Sequence, residues 1–219
     1  MDPDTLIGDL KHPYIIPTVC LTKGGPQLFK TDHHPDFRRD HKLRVVDVAL
    51  ATSAAPTFFP IAEIDDRLYA DGGLYANSPD LLALHEAEHF FGVDISEVRL
   101  LSVGTTTSKF SFSHSSGTAF GMLQWAMGQR LVQAMISSQQ QVADSIARHR
   151  LGPRYVRLDM DQSREQEQSL SLDTANEIAQ KTIRAMATTT VQAAVNEPAL
   201  KQILAHRLPP PRFYRHPGN

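Results

Sequence analysis

Asp71-Gly72-Gly73 follows the apolar run Arg67-Leu68-Tyr69-Ala70 and precedes Leu74-Tyr75-Ala76-Asn77-Ser78-Pro79. A carboxylate at the end of a strand can accept a proton. The two glycines after it let the backbone take positive φ or pass close against another segment. Asp-Gly between strand-like runs is also the commonest hairpin signal, so these letters alone favour a plain turn over a catalytic aspartate. The neighbours shift that balance. Pro79 fits the first position of a helix, after the cap candidates Asn77 and Ser78, with the helix running from Leu81. Strand, glycine turn and capped helix make an α/β connection rather than a hairpin.

His85-Glu86-Ala87-Glu88-His89 matches the His-Glu-x-x-His pattern of zinc hydrolases, and Gly92 stands at the spacing of its longer form. Two histidines four apart on a helix can hold one metal. Position 95, where a third histidine belongs, is Ile95. At ~100° per residue, Ala83, Leu84, Ala87, Phe90 and Phe91 share one side. His85, Glu86 and His89 share the other, which reads as a solvated face rather than a metal site.

Other candidate groups read as structural. None of the 12 glycines has a serine two places on, so no Gly-x-Ser-x-Gly nucleophile elbow exists in the chain. No glycine pair stands at Gly-x-Gly spacing either, so a glycine loop offering oxyanion amides is missing too. Ser53, Ser102 and Ser116 lack the flanking glycines of an elbow. Asp47 is placed to bind backbone amides near Thr52-Ser53. Met122, Trp125, Met127 and Met135 fall at helical spacing, which is more often core than a site for acyl chains. His33 and His34 sit in a polar stretch, residues 32–42, that reads as an exposed loop.

The elements that position these residues alternate. Strands are expected at 14–20 and 27–30 around a Gly24-Gly25-Pro26 turn, at 98–103 closed by Gly104, and at 154–158. Helices are expected at 43–53, over 118–150 with a break near Gly128, and at 173–196. Residues 105–116 read as a loop. Strands 14–20 and 98–103 are apolar enough to be buried on both faces. The Pro-rich end, 208–219, should be extended or disordered. Helices alternating with apolar strands indicate a layered α/β domain.

Composition fits one globular domain: 219 residues, 41% hydrophobic and 21% charged. A net charge of −2 gives no long-range pull toward nucleic acid. The lone Cys20 excludes an internal disulfide and suits a reducing compartment. No apolar run approaches the ~20 residues of a membrane span.

Read together, these strings resemble the patatin-like phospholipase family. The resemblance rests on Asp47 to Pro60, on Leu68 to Pro79 around Asp71-Gly72-Gly73, and on Leu100-Leu101-Ser102-Val103-Gly104-Thr105. Tyr155-Val156-Arg157-Leu158 with Leu170-Ser171-Leu172-Asp173 extends it toward the end of the chain. It covers roughly residues 5–200 and implies the C-terminal part of the family domain, with residues 1–207 as that domain and 208–219 as a tail.

The implied fold is a three-layer α/β domain with a mostly parallel central sheet flanked by helices, here incomplete. The implied chemistry is hydrolysis of lipid acyl esters by a Ser–Asp dyad. A serine outside this chain attacks the carbonyl, and Asp71 accepts its proton with no histidine between. Gly72 and Gly73 keep the turn slim, and Asn77 and Pro79 set the next helix. No cofactor or metal is implied. The expected partners are a lipid substrate and either a complementing N-terminal half-domain or a second copy; nucleic acid is not expected. The expected location is cytoplasmic, with peripheral contact to membranes. The alternatives are a catalytically inactive remnant that binds or regulates, and the zinc hydrolase.

Overall fold

The computed structural model describes residues 2–106, 130–171, 173–207 and 209–214, with residues 111, 114, 117, 118, 121, 122 and 125 between them. They fall into two compact units, Met1–Val93 with Arg207–Asn219, and Asp94–His206.

The first unit is built on hairpins. Strands β1 (Ile15–Cys20) and β2 (Gly25–Lys30) pair antiparallel, with Cys20 opposite Gly25. The four-residue link closes through Gly24 at φ 72, a left-handed conformation that favours glycine, and the Gly24 N–H donates to the Cys20 carbonyl at 2.9 Å. Strands β3 (Ala62–Ile64) and β4 (Arg67–Asp71) form a second hairpin across the two-residue loop Asp65-Asp66. Both loop residues take positive φ, 47 and 59, as the tight twist-matched turn demands. β4 also pairs antiparallel with β1, giving the order β2-β1-β4-β3. Helix α1 (Val45–Thr52) buries Val48 and Ala51 against the sheet. They join Ile7, Cys20, Phe29, Ile64 and Tyr69 in one core, where the rings of Phe29 and Tyr69 lie 5.2 Å apart. After β4 come the short helices α2 (Gly73–Ala76) and α3 (Asp80–His85), and the chain then widens into a π-turn at Glu86–Phe90.

The second unit holds a parallel pair, β5 (Leu100–Val103) and β6 (Tyr155–Leu158), in the register Leu100 to Tyr155. The described helices are α4 (Arg130–Leu151), α5 (Arg164–Ser169), α6 (Glu177–Ala194) and α7 (Pro198–Ala205). Asn176 caps α6 by accepting from the Ala179 N–H at 2.8 Å, and Ser163 with Gln166 forms a capping box on α5. Val156, Ala194 and Leu200 make a small core with Leu101, Leu158 and Ile203.

The α/β class expected from the sequence is the class found. Among the described residues parallel pairing is confined to β5 and β6, and the four-stranded sheet is antiparallel throughout. Within the two hairpins, β1–β2 and β3–β4, the reason is link length. Links of four and two residues can only reverse a strand, whereas a parallel neighbour needs a crossover of about a dozen residues. Strand β1 is accordingly only partly buried along much of its length, and Val103 at the end of β5 is 68% exposed. Helices α5 and α7 were not expected, and α3 begins at Asp80, with Pro79 in the cap position rather than the first turn. Met122 and Met135 are exposed, contrary to a core role. Ser116, Met127 and the break near Gly128 lie outside the described residues, as does most of the 105–116 stretch. The described part of the tail, 209–214, has no regular structure, and the Tyr214 N–H donates to the Asp32 carbonyl at 2.8 Å.

The stretch 32–42 is exposed only in part: Asp36, Arg38, Arg39 and Lys42 face solvent. Thr31, Asp32, His33 and Asp40 are buried, and so is Glu86, which a regular helical projection puts on the solvated side. Glu86 opens the π-turn directly after α3, and its burial comes from partners distant in sequence rather than from its own helical position. Its Oε2 meets Lys30 Nζ at 2.6 Å, and its Oε1 meets His33 Nε2 at 2.8 Å. The Tyr14 N–H donates to Thr31 Oγ1 at 3.0 Å, and that oxygen lies 2.7 Å from His33 Nδ1. Lys30 also lies over the rings of Phe37 and Phe90, 4.4 and 4.1 Å from their centroids.

Burial alone would raise the Glu86 carboxyl. The hydrogen bonds from His33 and Lys30 and their positive charge outweigh it and hold the group below the usual glutamate range. A carboxylate lowered in the fold stabilises above its unfolded pKa of about 4.3, and that stabilisation is lost as pH falls through its folded pKa. Glu86→Gln should therefore cost about 3 kcal/mol in denaturant unfolding at neutral pH, since it leaves Lys30 without its counter-charge. The deficit should shrink steadily below about pH 4.

Candidate active site

Asp71 is the last residue of β4 and pairs with Thr18 of β1. Its backbone N–H donates to the Ala54 carbonyl at 3.0 Å, which ties the strand end to the segment leaving α1. Thr52, the last residue of α1, donates through Oγ1 to the Pro17 carbonyl at 2.7 Å. Gly72 passes over that same carbonyl: a Cβ built on it would lie 2.1 Å from the Pro17 oxygen. No side chain fits there, and since φ is −65 the glycine is required by the close approach rather than by handedness. The chain then turns into α2, with the Tyr75 and Ala76 N–H groups donating back to the Gly72 carbonyl at 3.1 and 2.8 Å.

That turn places the Gly73 N–H on the Asp71 carboxylate, 2.6 Å from Oδ1. A Cβ on Gly73 would lie 3.0 Å from both Asp71 Oδ1 and Asn77 Oδ1, so the glycine leaves room for two side-chain oxygens. Asn77 ends α2, and Pro79 caps α3 while its carbonyl accepts from the Ala83 N–H at 2.9 Å. Between them Ser78 is buried, and its Oγ has no partner among the described residues.

The Asp71 carboxyl is half-buried. Desolvation raises its pKa above the usual aspartate range, and the Gly73 N–H opposes part of that rise. A half-buried carboxylate with a raised pKa and one fixed hydrogen bond is suited to accepting a proton. Burial also raises the Tyr75 hydroxyl, which lies 3.4 Å from the Gln27 carbonyl.

The other candidates are occupied elsewhere. Ser53 is exposed and donates to the Ala49 carbonyl at 2.8 Å. Ser102 is buried and accepts from Arg157 Nη1 at 2.8 Å. Asp47 accepts from Nε and Nη2 of Arg44, at 2.8 Å each, rather than from backbone amides. His33 is fully buried instead of solvated. The rings of His85 and His89 are exposed and stacked 5.2 Å apart. Glu86 is committed to Lys30 and His33 and cannot serve as the base of a zinc site. Among the described residues no three His, Cys, Asp or Glu side chains come together as metal ligands. A cleft of about 230 Å³ in the second unit is lined by Gln140, Asp144, Arg157 and Asp161. Its arginine is paired with Asp159 at 2.5 Å.

Sequence reasoning did not find the support beneath Asp71, namely Pro17, Thr52 and Ala54. These come from two elements far apart in the chain, and no local pattern marks them. The only trace was the pair of adjacent glycines, which signals a close approach without naming the partner.

Residues 4–84, which include the Asp71 turn, match the family model described as Patatin-like phospholipase. A cGAMP-activated phospholipase of Pseudomonas aeruginosa (strain BWHPSA011 / Pa011) is 37% identical over 216 residues, which is 98% of this chain and 64% of that protein. A protein of the same name from Vibrio cholerae serotype O1 is 40% identical over 187 residues, 79% of this chain and 53% of its own. Patatin-like protein 2 of Arabidopsis thaliana is 30% identical over 147 residues, 56% of this chain and 35% of its own. The chain thus spans about half to two thirds of the length of the cGAMP-activated relatives. Among the described residues, no helix is long and apolar enough to cross a membrane.

Two outcomes follow from this geometry. Gly72→Ala should destabilise the chain by about 1–3 kcal/mol in denaturant unfolding, because the Pro17 backbone must move to admit the methyl. Asp71→Asn should act in the opposite direction. A carboxyl whose folded pKa lies above its unfolded value near 3.9 loses stability as pH rises through that window. At neutral pH the asparagine variant should melt at or above the parent, and the difference should vanish below about pH 4. A lower melting temperature for Asp71→Asn at neutral pH contradicts the desolvated carboxylate.

Proposed function

We propose, for a chain that belongs to the patatin-like phospholipase family, that it contributes the proton acceptor of a lipid acyl hydrolase and that Asp71 is that acceptor. One observation carries the reading: a half-buried carboxylate with a raised pKa stands at a strand end where Gly72 admits no side chain. The serine that would pair with it comes from outside this sequence, which has no Gly-x-Ser-x-Gly. In the assembled site the serine hydroxyl adds to the ester carbonyl, and its proton passes to Asp71. The leaving alcohol takes that proton, and water then releases the fatty acid from the acyl-serine. The Gly73 N–H keeps the carboxylate aimed while it is charged. Gly72, Asn77 and Pro79 act on the turn and the next helix, not on the ester. The three cGAMP-activated relatives support a second element of the proposal, that a cyclic dinucleotide switches the assembled enzyme on.

A specific observation favours a non-catalytic alternative for the chain by itself. Ser53 and Ser102 are both engaged and neither stands at an elbow, so the isolated chain would bind or regulate rather than hydrolyse.

The test has two parts. Purified alone, the chain should not hydrolyse phospholipid above a buffer blank, and a fluorophosphonate probe should label no serine. Supplied with a family half-domain bearing Gly-x-Ser-x-Gly, and with cGAMP, it should hydrolyse phospholipid, and Asp71→Asn should lower turnover by about 10²–10⁴-fold. Near-full activity of Asp71→Asn in that assembly overturns the assignment. His85→Ala and His89→Ala should leave the activity intact.

A further inference from the structure

We infer that the uncharged segment running from α1 into β3 seats the chain on the surface of a lipid bilayer, beside the Asp71 turn. The inference rests on the acyl hydrolase reading and names the surface that reading requires.

From Val48 to Ala62 the chain carries fifteen residues without one Asp, Glu, Lys, Arg or His. Such a run is ordinarily core, and Val48, Ala51 and Ala54 are indeed buried. The larger apolar side chains of the same run are not. Leu50 is 60% exposed, Phe59 45% and Ile61 57%, and Val46, one helical turn before Leu50, is 38% exposed. Val46 and Leu50 therefore form the outer stripe of a helix whose inner stripe is already packed. Single exposed apolar residues need no explanation, but several gathered on one uncharged segment do.

The segment is held in this exposed form. The Phe58 and Phe59 N–H groups both donate to the Ala55 carbonyl, at 3.1 and 3.0 Å, which closes a tight turn. Thr57 within it takes φ 74, a conformation that β-branched residues rarely adopt. Pro56 and Pro60 stiffen the two sides. Phe59 and Ile61 are thus presented rather than left loose. The segment is also fixed to the carboxylate's own backbone, since the Ala54 carbonyl receives the Asp71 N–H. The run that carries Leu50, Phe59 and Ile61 is thus joined by a backbone hydrogen bond to the strand end that bears the carboxylate.

The occupant follows from the substrate. An acyl ester of a phospholipid is dissolved in a bilayer, and an acceptor at Asp71 reaches it only if the surrounding surface can lie against acyl chains and headgroups without desolvating charge. A fifteen-residue segment free of charge meets that condition, and aromatic and aliphatic side chains suit the interface. A net charge of −2 offers no attraction to anionic lipid, so the contact is apolar and insensitive to salt.

The experiment measures binding without turnover. The purified chain is mixed with phosphatidylcholine vesicles and its partition is read by flotation at low and high salt. It should float with the vesicles to the same extent at both. Leu50→Ser, Phe59→Ser and Ile61→Ser combined should lower the partition by at least about tenfold, with the melting transition unchanged because all three side chains are already exposed. Phe59→Trp gives an independent reading. Against the parent, its emission should shift to shorter wavelength when vesicles are added. Asp71→Asn should bind vesicles as the parent does, so a failed catalytic assignment leaves this result standing. A parent that does not float, a triple variant that floats unchanged, or a Phe59→Trp variant whose emission does not shift overturns the inference. A triple variant that turns a self-associated parent into a monomer while still floating also overturns it, and assigns the face to a second copy of the chain.

Discussion

The backbone at Gly72 runs so close to the Pro17 carbonyl that a methyl group would stand 2.1 Å from its oxygen. Most of the first unit is arranged around that contact. Because the turn can lie flat on β1, Asp71 remains in register with Thr18, and its N–H meets the Ala54 carbonyl. Thr52 bonds the same Pro17 oxygen from the end of α1, so the helix, the central strand and the turn converge on one carbonyl. The carboxylate therefore sits on a rigid base and is half withdrawn from water. Both properties follow from packing and neither requires a charged neighbour. Desolvation is the largest influence on the Asp71 carboxyl, and the opposing influence is the Gly73 N–H.

A second cluster in the same unit shows the contrasting way to bury a carboxylate. Glu86 is buried, yet Lys30 and His33 neutralise it and hold it ionised. It lies on the helical stretch that begins just after the Asp71 turn, and Lys30 ends the strand β2. The ion cluster thus fastens the helix that follows the site to the far edge of the sheet that carries it. One acid is tuned toward accepting a proton, the other toward never doing so, and the difference lies in their partners rather than in residue type.

Much of the local structure was legible in the residues. Asp71-Gly72-Gly73 followed by a cap and Pro79 announces strand, turn and helix, and that order is present. The end of α1 before Pro56 and the strands at Ile15–Cys20 and Tyr155–Leu158 were equally plain. What was hidden depends on partners distant in sequence. Apolar strands do not declare direction: the short links 21–24 and 65–66 fix the two hairpins, but nothing local shows that β4 returns antiparallel beside β1. A hundred-degree projection cannot foresee that Lys30 and His33, more than fifty residues earlier, cover Glu86. Nor can a polar string such as Asp32-His33-His34 reveal that Thr31 and Glu86 satisfy its imidazole. The Pro17 contact was hinted at by adjacent glycines and identified only by the fold.

The central claim is that burial, with little opposition, prepares the Asp71 side chain to take up a proton. Its side-chain carboxyl carbon can be followed by NMR through a pH titration of the intact chain, with Asp71→Asn assigning the resonance. The account predicts a midpoint clearly above that of an exposed aspartate, with the other carboxylates as internal reference and Glu86 below its own ordinary range. An Asp71 midpoint at or below the ordinary aspartate value would mean that hydrogen bonding governs the group, and would contradict its assignment as the proton acceptor.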